Sequence, residues 1–295
     1  MKFFLEDNIQ YGISTTFRPG IRRVMAHNPG PFTYHGTGTY IVGSGNVAVI
    51  DPGPNIPDHI NALIHELEGE RISHILITHT HLDHSPAAKI LKKITGASTY
   101  GFGPHGGDKG PSVEEGADYE FIPDFELRDG QIIEGGDYTF EVIHTPGHTS
   151  NHVCFELKES RILFPGDHVM GWSTTIVSPP DGDMAAYRNS LKLLMGRNND
   201  FFLPTHGPAI DNPKSYLAYL IAHRDQREIS ILDCIEQGIS RVSDMVKKLY
   251  TDVDPRLHNA AQRSVLAHLL QLINEGKITA DDAEISLKSD FRPKS

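Results

Sequence analysis

The chain has 295 residues, a net charge of −11 at pH 7 and an apolar fraction of 38%. That length suits two domains, or one large α/β domain with an appendage, and is enough to bury a core. An acidic balance gives no overall field for nucleic acid, and no run approaches the ~18 apolar residues of a membrane span.

The two cysteines, Cys154 and Cys234, lie far apart, form no metal-type spacing and read as buried apolar fillers. Residues 1–8 turn acidic too soon for the apolar run of a secretory signal, so the expectation is a cytoplasmic protein.

In chain order, β-type runs are predicted at 21–26, 38–42 and 46–50, the last ending at Asp51, Pro52 and Gly53. Ile60, Leu63, Ile64 and Leu67 have helical spacing and predict a helix over 58–67. An apolar strand at 72–78 follows, then a helix at 86–95 stopped by Gly96 and a strand at 98–101. The Gly- and Pro-rich loop 103–116 is long enough to border a site. Strands are predicted at 120–122, 131–134, 138–144, 152–157 and 161–165. A helix at 183–195 with Asp183 as its N-cap and a strand at 201–204 complete this part. Beyond Pro213 the texture is helical, over 214–237, 242–250 and 257–274, with a terminal hairpin from 276–278 and 284–287. The predicted domains are therefore 1–212 and 213–295. The order β, α, β, α favours a sandwich of sheets with helices outside.

His79, His81, Asp83 and His84 stand in the order His-x-His-x-Asp-His on a turn between an apolar strand and a helix. Three imidazoles and a carboxylate so close together are costly to bury without a partner, and they are the N and O donors a borderline cation takes. His148, Asp167 and His206 each sit in a tight turn after an apolar strand, in the runs TPGH, PGD and PTHG. The alternative, that these are surface residues or structural contacts, does not account for their order and shared strand-end placement. His74, His105, His152 and His168 read instead as structural or exposed, with His168 a possible neighbour of the site.

Over residues 20–212 these motifs resemble the metallo-β-lactamase superfamily. The resemblance implies an α/β, αββα sandwich fold. It implies that His79, His81 and His148 hold one metal, that Asp83, His84 and His206 hold a second, and that Asp167 bridges. Asp51 matches a buried carboxylate behind the ligands. Two Zn²⁺ per chain are expected, with Fe²⁺ or Mn²⁺ compatible. Two cations a few Å apart can share a hydroxide, the nucleophile of a metal-dependent hydrolase, with Asp83 as the catalytic carboxylate that orients it. The second set lacks a cysteine, which favours the glyoxalase II and ribonuclease branches over antibiotic-destroying ones.

The helical residues after 213, with His223, Arg224, Arg227 and Glu228, resemble the beta-lactamase-like protein 2 group, whose C-terminal piece is a small winged-helix-like domain. Relatives of that group are linked to single-stranded RNA cleavage and, in fungi, to thioester hydrolysis on carrier proteins. Arg224, Arg227, Lys247 and Lys248 read as solvated helix faces. Leu217, Leu220, Ile221, Ile229 and Leu232 read as a packing stripe, and Tyr187 as a helix face against a core. The substrate site is expected beside 103–116 and 171–183, where Trp172 reads equally as its wall or as a rim residue. Three functions remain open: hydrolysis of a small thioester or ester, endonucleolytic or phosphodiester cleavage of RNA, and metal binding without turnover. The expected partner is a small molecule, with RNA possible, no membrane, and the oligomeric state open.

Overall fold

The structure is a computed structural model and describes residues 9–106 and 116–294. Much of the expected loop 103–116 and the segment 1–8 lie outside the described residues. The chain divides into two compact units: 1–145, 151–175 and 197–213 form the first, and 146–150, 176–196 and 214–295 the second. The second unit also takes a short turn and the 183–195 helix, because that helix packs on a C-terminal one.

The first unit holds two sheets. The larger runs in chain order: β1 (Ser14–Arg18), β2 (Ile21–Met25), β3 (Gly38–Ser44), β4 (Asn46–Ile50), β5 (Arg71–Leu76), β6 (Ser98–Gly101) and β7 (Phe125–Glu126). β1 to β4 pair antiparallel, and β4 to β7 parallel. Parallel neighbours need a crossover. Helices α1 (Pro57–Glu66) and α2 (Ala87–Thr95) supply two of them. Pro57 opens α1, where its missing N–H costs nothing, and Gly96 ends α2 in the left-handed region. The smaller sheet contains β8 (Ile132–Glu134), β9 (Thr139–His144), β10 (Val153–Leu157), β11 (Ile162–Phe164) and β12 (Phe201–Phe202), in the order β12-β11-β10-β9-β8.

Strand periodicity places the core. Tyr40 and Val42 of β3, Ala48 and Ile50 of β4 and Leu76 of β5 face Phe140, Val142, Phe155 and Phe164 of the smaller sheet. The alternate residues Ile41, Val47, Val49 and Ile75 face the other way and pack with Leu63 of α1 and Ala88 and Leu91 of α2. Both faces of the central strands are covered, so they read as continuous apolar runs.

One strand was not predicted, and one predicted strand does not form. β1 was not expected, because Ser14–Arg18 is mostly exposed and carries little apolar alternation; it forms by pairing with β2. The predicted strand at 120–122 is a turn and coil with Ile122 77% exposed. The pairing moves to β7, where Phe125 stacks on Tyr100 with ring centroids 4.8 Å apart.

The second unit contains α3 (Met184–Met195), most of α4 (Pro213–Glu236), α5 (Val242–Leu249), α6 (His258–Asn274) and the hairpin β13 (Ile278–Ala280) and β14 (Phe291–Pro293). Asp183 caps α3 by accepting from the Ala186 N–H at 2.7 Å. Ile231, Met245, Val265, Leu269 and Phe291 share the C-terminal core. The hairpin's second strand lies at 291–293 rather than at 284–287, because Phe291 is the residue that reaches this core and pairs with Ala280. The packing stripe of α4 also differs from expectation. Ile229 is 51% exposed, whereas Arg224 and Glu228 are buried. Arg224 lies over the Tyr187 ring, itself fully buried as expected, and Glu228 is bonded by Arg188 and Lys277. No helix among the described residues is long and apolar enough to cross a membrane.

Candidate metal centre

Topology gathers the candidate residues at strand ends. β4 and β5 run parallel, so Asp51 and the turn holding His79 to His84 leave the same end of the larger sheet. β11 and β12 are also parallel, so the turns with Asp167 and His206 leave one end of the smaller sheet.

Asp51 organises the first pair of turns. Its backbone is in the left-handed region at φ 48°, and its carboxylate is 1% exposed. The Thr78 N–H and hydroxyl donate to that carboxylate at 2.8 and 2.7 Å, and His84 Nδ1 donates at 2.9 Å. His79 Nδ1 lies 3.0 Å from the same Thr78 hydroxyl. His206 Nδ1 donates to the Gly36 carbonyl at 3.0 Å. With Nδ1 engaged, His84 and His206 both present Nε2 to the carboxylates of Asp83 and Asp167. The His84 distances are 3.3 and 3.4 Å, and those of His206 are 3.1 and 3.4 Å. Gly166 (φ 51°) lets the Asp167 turn approach closely, since a Cβ there would meet the Thr78 hydroxyl at 2.7 Å.

Three ligand atoms of His79, His84 and Asp167 lie within 4.8 Å of one another, and so do those of Asp83, His84 and His206. His81 joins through its Nδ1, 3.0 Å from His79 Nε2. His148 is buried on the turn 146–150 of the second unit, where the Ile176 carbonyl accepts from its Nδ1 at 2.8 Å.

These residues fit divalent cations. The donors are all imidazole nitrogens and carboxylate oxygens, the set a borderline cation takes. The Nδ1 atoms of His84, His206 and His148 are fixed by a carboxylate or a carbonyl, the arrangement that aims a ligating imidazole. His84 Nε2 is wholly buried and makes no hydrogen bond, though two carboxylates face it.

Protons balance the charge in the cation-free protein. Burial opposes charge on His206, but Asp167 and Asp83 overcome it and push the imidazole up to about 10. Burial likewise opposes charge on His84, yet Asp83, Asp167 and Asp51 hold it well above the usual histidine range. Burial would raise both carboxylates, but His84 and His206 pull Asp83 and Asp167 well below theirs.

Neighbouring side chains complete the surroundings. Trp172 stacks on Tyr34 with centroids 4.9 Å apart and planes at 15°, and its backbone abuts Gly207 beside His206. A groove of about 740 Å³ runs past Leu82, Ser85, Tyr119, Phe121 and Ile122, with Lys89 and Lys92 among its lining residues. Leu82, between His81 and Asp83, is 43% exposed. Of the other histidines, His74 bonds the Tyr138 hydroxyl at 2.8 Å, His105 bonds Thr80 at 3.0 Å, and His152 bonds Thr145 at 2.9 Å. His168 is fully buried.

Sequence reasoning did not find Thr37, Thr78 or the Gly36 carbonyl. Thr78 had one available signal, its place between the apolar strand and His79. A threonine at a strand start and a glycine carbonyl carry none.

The metallo-beta-lactamase superfamily model matches residues 33–206, and the beta-lactamase associated winged helix domain model matches 242–285. The chain is 32% identical over 265 residues to a beta-lactamase-like protein 2 homolog of Caenorhabditis elegans, covering 88% of this chain and 85% of that one. It is 30% identical to an atrochrysone carboxyl ACP thioesterase of Aspergillus chevalieri, covering 88% and 83%. The crystal structure of a beta-lactamase domain protein from Burkholderia ambifaria matches with a TM-score of 0.78 at 20% identity, covering 99% and 97%.

Proposed function

Because the chain belongs to the metallo-beta-lactamase superfamily and is one of its hydrolases, we propose that it is a two-zinc enzyme cleaving a small thioester or ester. The observation that carries this reading is the meeting of His84 Nε2 and His206 Nε2 on the carboxylates of Asp83 and Asp167. By the family resemblance, His79, His81 and His148 would hold one cation, and Asp83, His84 and His206 the other, with Asp167 shared. When bound, such cations lower the pKa of water and polarise the scissile carbonyl.

The chain's own residues then have distinct tasks. Asp83 accepts the proton of the attacking water and returns it to the leaving thiolate or alkoxide. Asp51, through Thr78 and His84, holds the ligands in register. The groove beside Leu82 and Phe121 takes the apolar part of the acyl group. The printed activity of the Aspergillus chevalieri relative, a thioesterase, supports an acyl substrate. The winged-helix match favours RNA as the second reading. Against it, several basic groups in or near that segment are already engaged: Arg241 with Asp290, Lys247 with Asp244, and Arg227 with the Leu249 carbonyl and the Tyr250 ring.

The test is a panel of thioesters, simple esters, lactones, β-lactams and single-stranded RNA, with protein loaded with Zn²⁺, Mn²⁺ or Fe²⁺. Thioester or ester turnover that disappears in Asp83→Ala is expected. RNA cleavage without acyl turnover supports the second reading. Full thioesterase rates in a folded, zinc-loaded Asp83→Ala refute the role given to Asp83.

A further inference from the structure

Between β2 and β3 the chain makes a tight excursion that ends against the metal centre. Thr33 ties it by donating its hydroxyl to the Asn28 carbonyl at 2.6 Å. The Asn28 side chain then clamps Thr37 twice. Its Oδ1 accepts from the Thr37 N–H at 2.9 Å, and its Nδ2 donates to the Thr37 hydroxyl at 3.0 Å. A hydroxyl that accepts on one side donates on the other. The Thr37 hydroxyl donates to Asp83 Oδ2 at 3.2 Å. Thr37 is fully buried and Asp83 is 3% exposed, so water does not compete for this bond. The preceding residue, Gly36, bonds His206. One short segment therefore touches two of the three ligands in the second set.

We propose that Thr37 is a positioning residue for the second cation site, its hydroxyl aimed by Asn28 and fixing the carboxylate of Asp83. This rests on the metal assignment above. Oδ2 of Asp83 also faces His84 Nε2 and His206 Nε2, so the direction of this carboxylate sets how the second ligand set converges. Without the Thr37 bond, the carboxylate gains freedom to rotate and each binding event must order it again. Hydrogen-bond partners behind metal ligands typically contribute 10–100-fold in affinity.

The experiment measures zinc affinity of the full chain by competition with a chromophoric chelator, comparing wild type, Thr37→Val and Thr37→Ser. Thr37→Val keeps the shape and removes the hydroxyl, whereas Thr37→Ser keeps the hydroxyl and removes the methyl. The second zinc equivalent is expected to weaken about 10-fold or more in Thr37→Val. The first equivalent should hold, and Thr37→Ser should stay within about threefold of wild type. A second equivalent bound as tightly by Thr37→Val as by wild type overturns the proposal, as does equal loss in Thr37→Ser. If thermal melting shows that Thr37→Val does not fold, Asn28→Ala carries the test. It leaves Thr37 in place but removes its clamp, and an unchanged second equivalent there also overturns the proposal. Failure of the hydrolase reading looks different. The wild type would take both equivalents and turn over nothing in the panel, while the Thr37 effect on affinity persisted. A wild type that takes no second equivalent overturns both.

Discussion

Replacing Asp51 by asparagine isolates the support behind the ligands. Asparagine is nearly isosteric, and its amide oxygen can still accept the Thr78 N–H, which lies 2.8 Å from Oδ1. The new NH₂ stands where Oδ2 accepts from the Thr78 hydroxyl at 2.7 Å and from His84 Nδ1 at 2.9 Å. The Thr78 hydroxyl can turn to accept from that NH₂, but the His84 Nδ1–H would face a donor at a residue that is 1% exposed, where water cannot relieve the mismatch. A hydrogen bond to a charged group contributes about 1.5–3 kcal/mol, so the loss should be about 2 kcal/mol. The assay is urea unfolding of the cation-free protein at pH 7 with chelator present, followed by a double-mutant cycle with Thr78→Val. The cycle should show coupling between the two sites. A destabilisation below about 1 kcal/mol would mean that the network around Asp51 does not bear on the fold, and the reasoning fails.

Other consequences follow from the same structure. The folded His206 pKa, about 10, lies above its ordinary 6.5, so its stabilising contribution is full below pH 6.5 and is lost as pH rises through about 10. In chelator, the stability advantage of wild type over His206→Gln should shrink across that window. On the proposed assignment of His206 as a ligand, the same proton leaves when a cation binds, so calorimetric zinc titration near pH 7 in two buffers of different ionisation enthalpy should show net proton release. Burial pushes the Cys154 thiol up to about 12, with the Thr145 hydroxyl opposing weakly. Neither Cys154 nor Cys234 should react with a thiol reagent at pH 8 until the chain unfolds, and fast labelling of the native protein would contradict their burial. In the second unit, Glu228→Gln removes the charge that Arg188 and Lys277 share, although Asp225 and Glu275 remain as their alternative partners. A loss of about 2 kcal/mol by thermal melting is expected.

How far the sequence could be read depends on which force places each element. Strands of the larger sheet buried on both faces, such as Asn46–Ile50, announce themselves as apolar runs and lie where predicted. Ser14–Arg18 and Phe125–Glu126 escape because backbone pairing at a sheet edge makes them strands, and edge pairing leaves little trace in side-chain pattern. Helix α4 shows the opposite failure. Its buried stripe includes Arg224 and Glu228, whose burial depends on the Tyr187 ring and on Arg188 and Lys277, all distant in sequence. Charge on a helix reads as solvent exposure unless its partner is known.

At the candidate centre the asymmetry is chemical. A divalent cation accepts few side chains, so His79, His81, Asp83, His84, Asp167 and His206 are conspicuous by residue type and by their shared place after strands. The groups that aim them need only one donor or acceptor each, and almost any polar atom qualifies. Asp51 was recognisable through the family resemblance, which places a carboxylate at the end of that strand. Thr78 and Thr37 are ordinary residues just outside strand ends, and Gly36 acts through its backbone carbonyl, which every residue has. Convergence decides their roles: Thr37 reaches Asp83 across 46 positions of the chain and Gly36 reaches His206 across 170. Sequence reports which atoms can bind a cation, and only the fold reports which atoms keep them still. On the proposed metal assignment, substitutions at these supporting positions should therefore alter the grip on the cation while every candidate ligand remains in place.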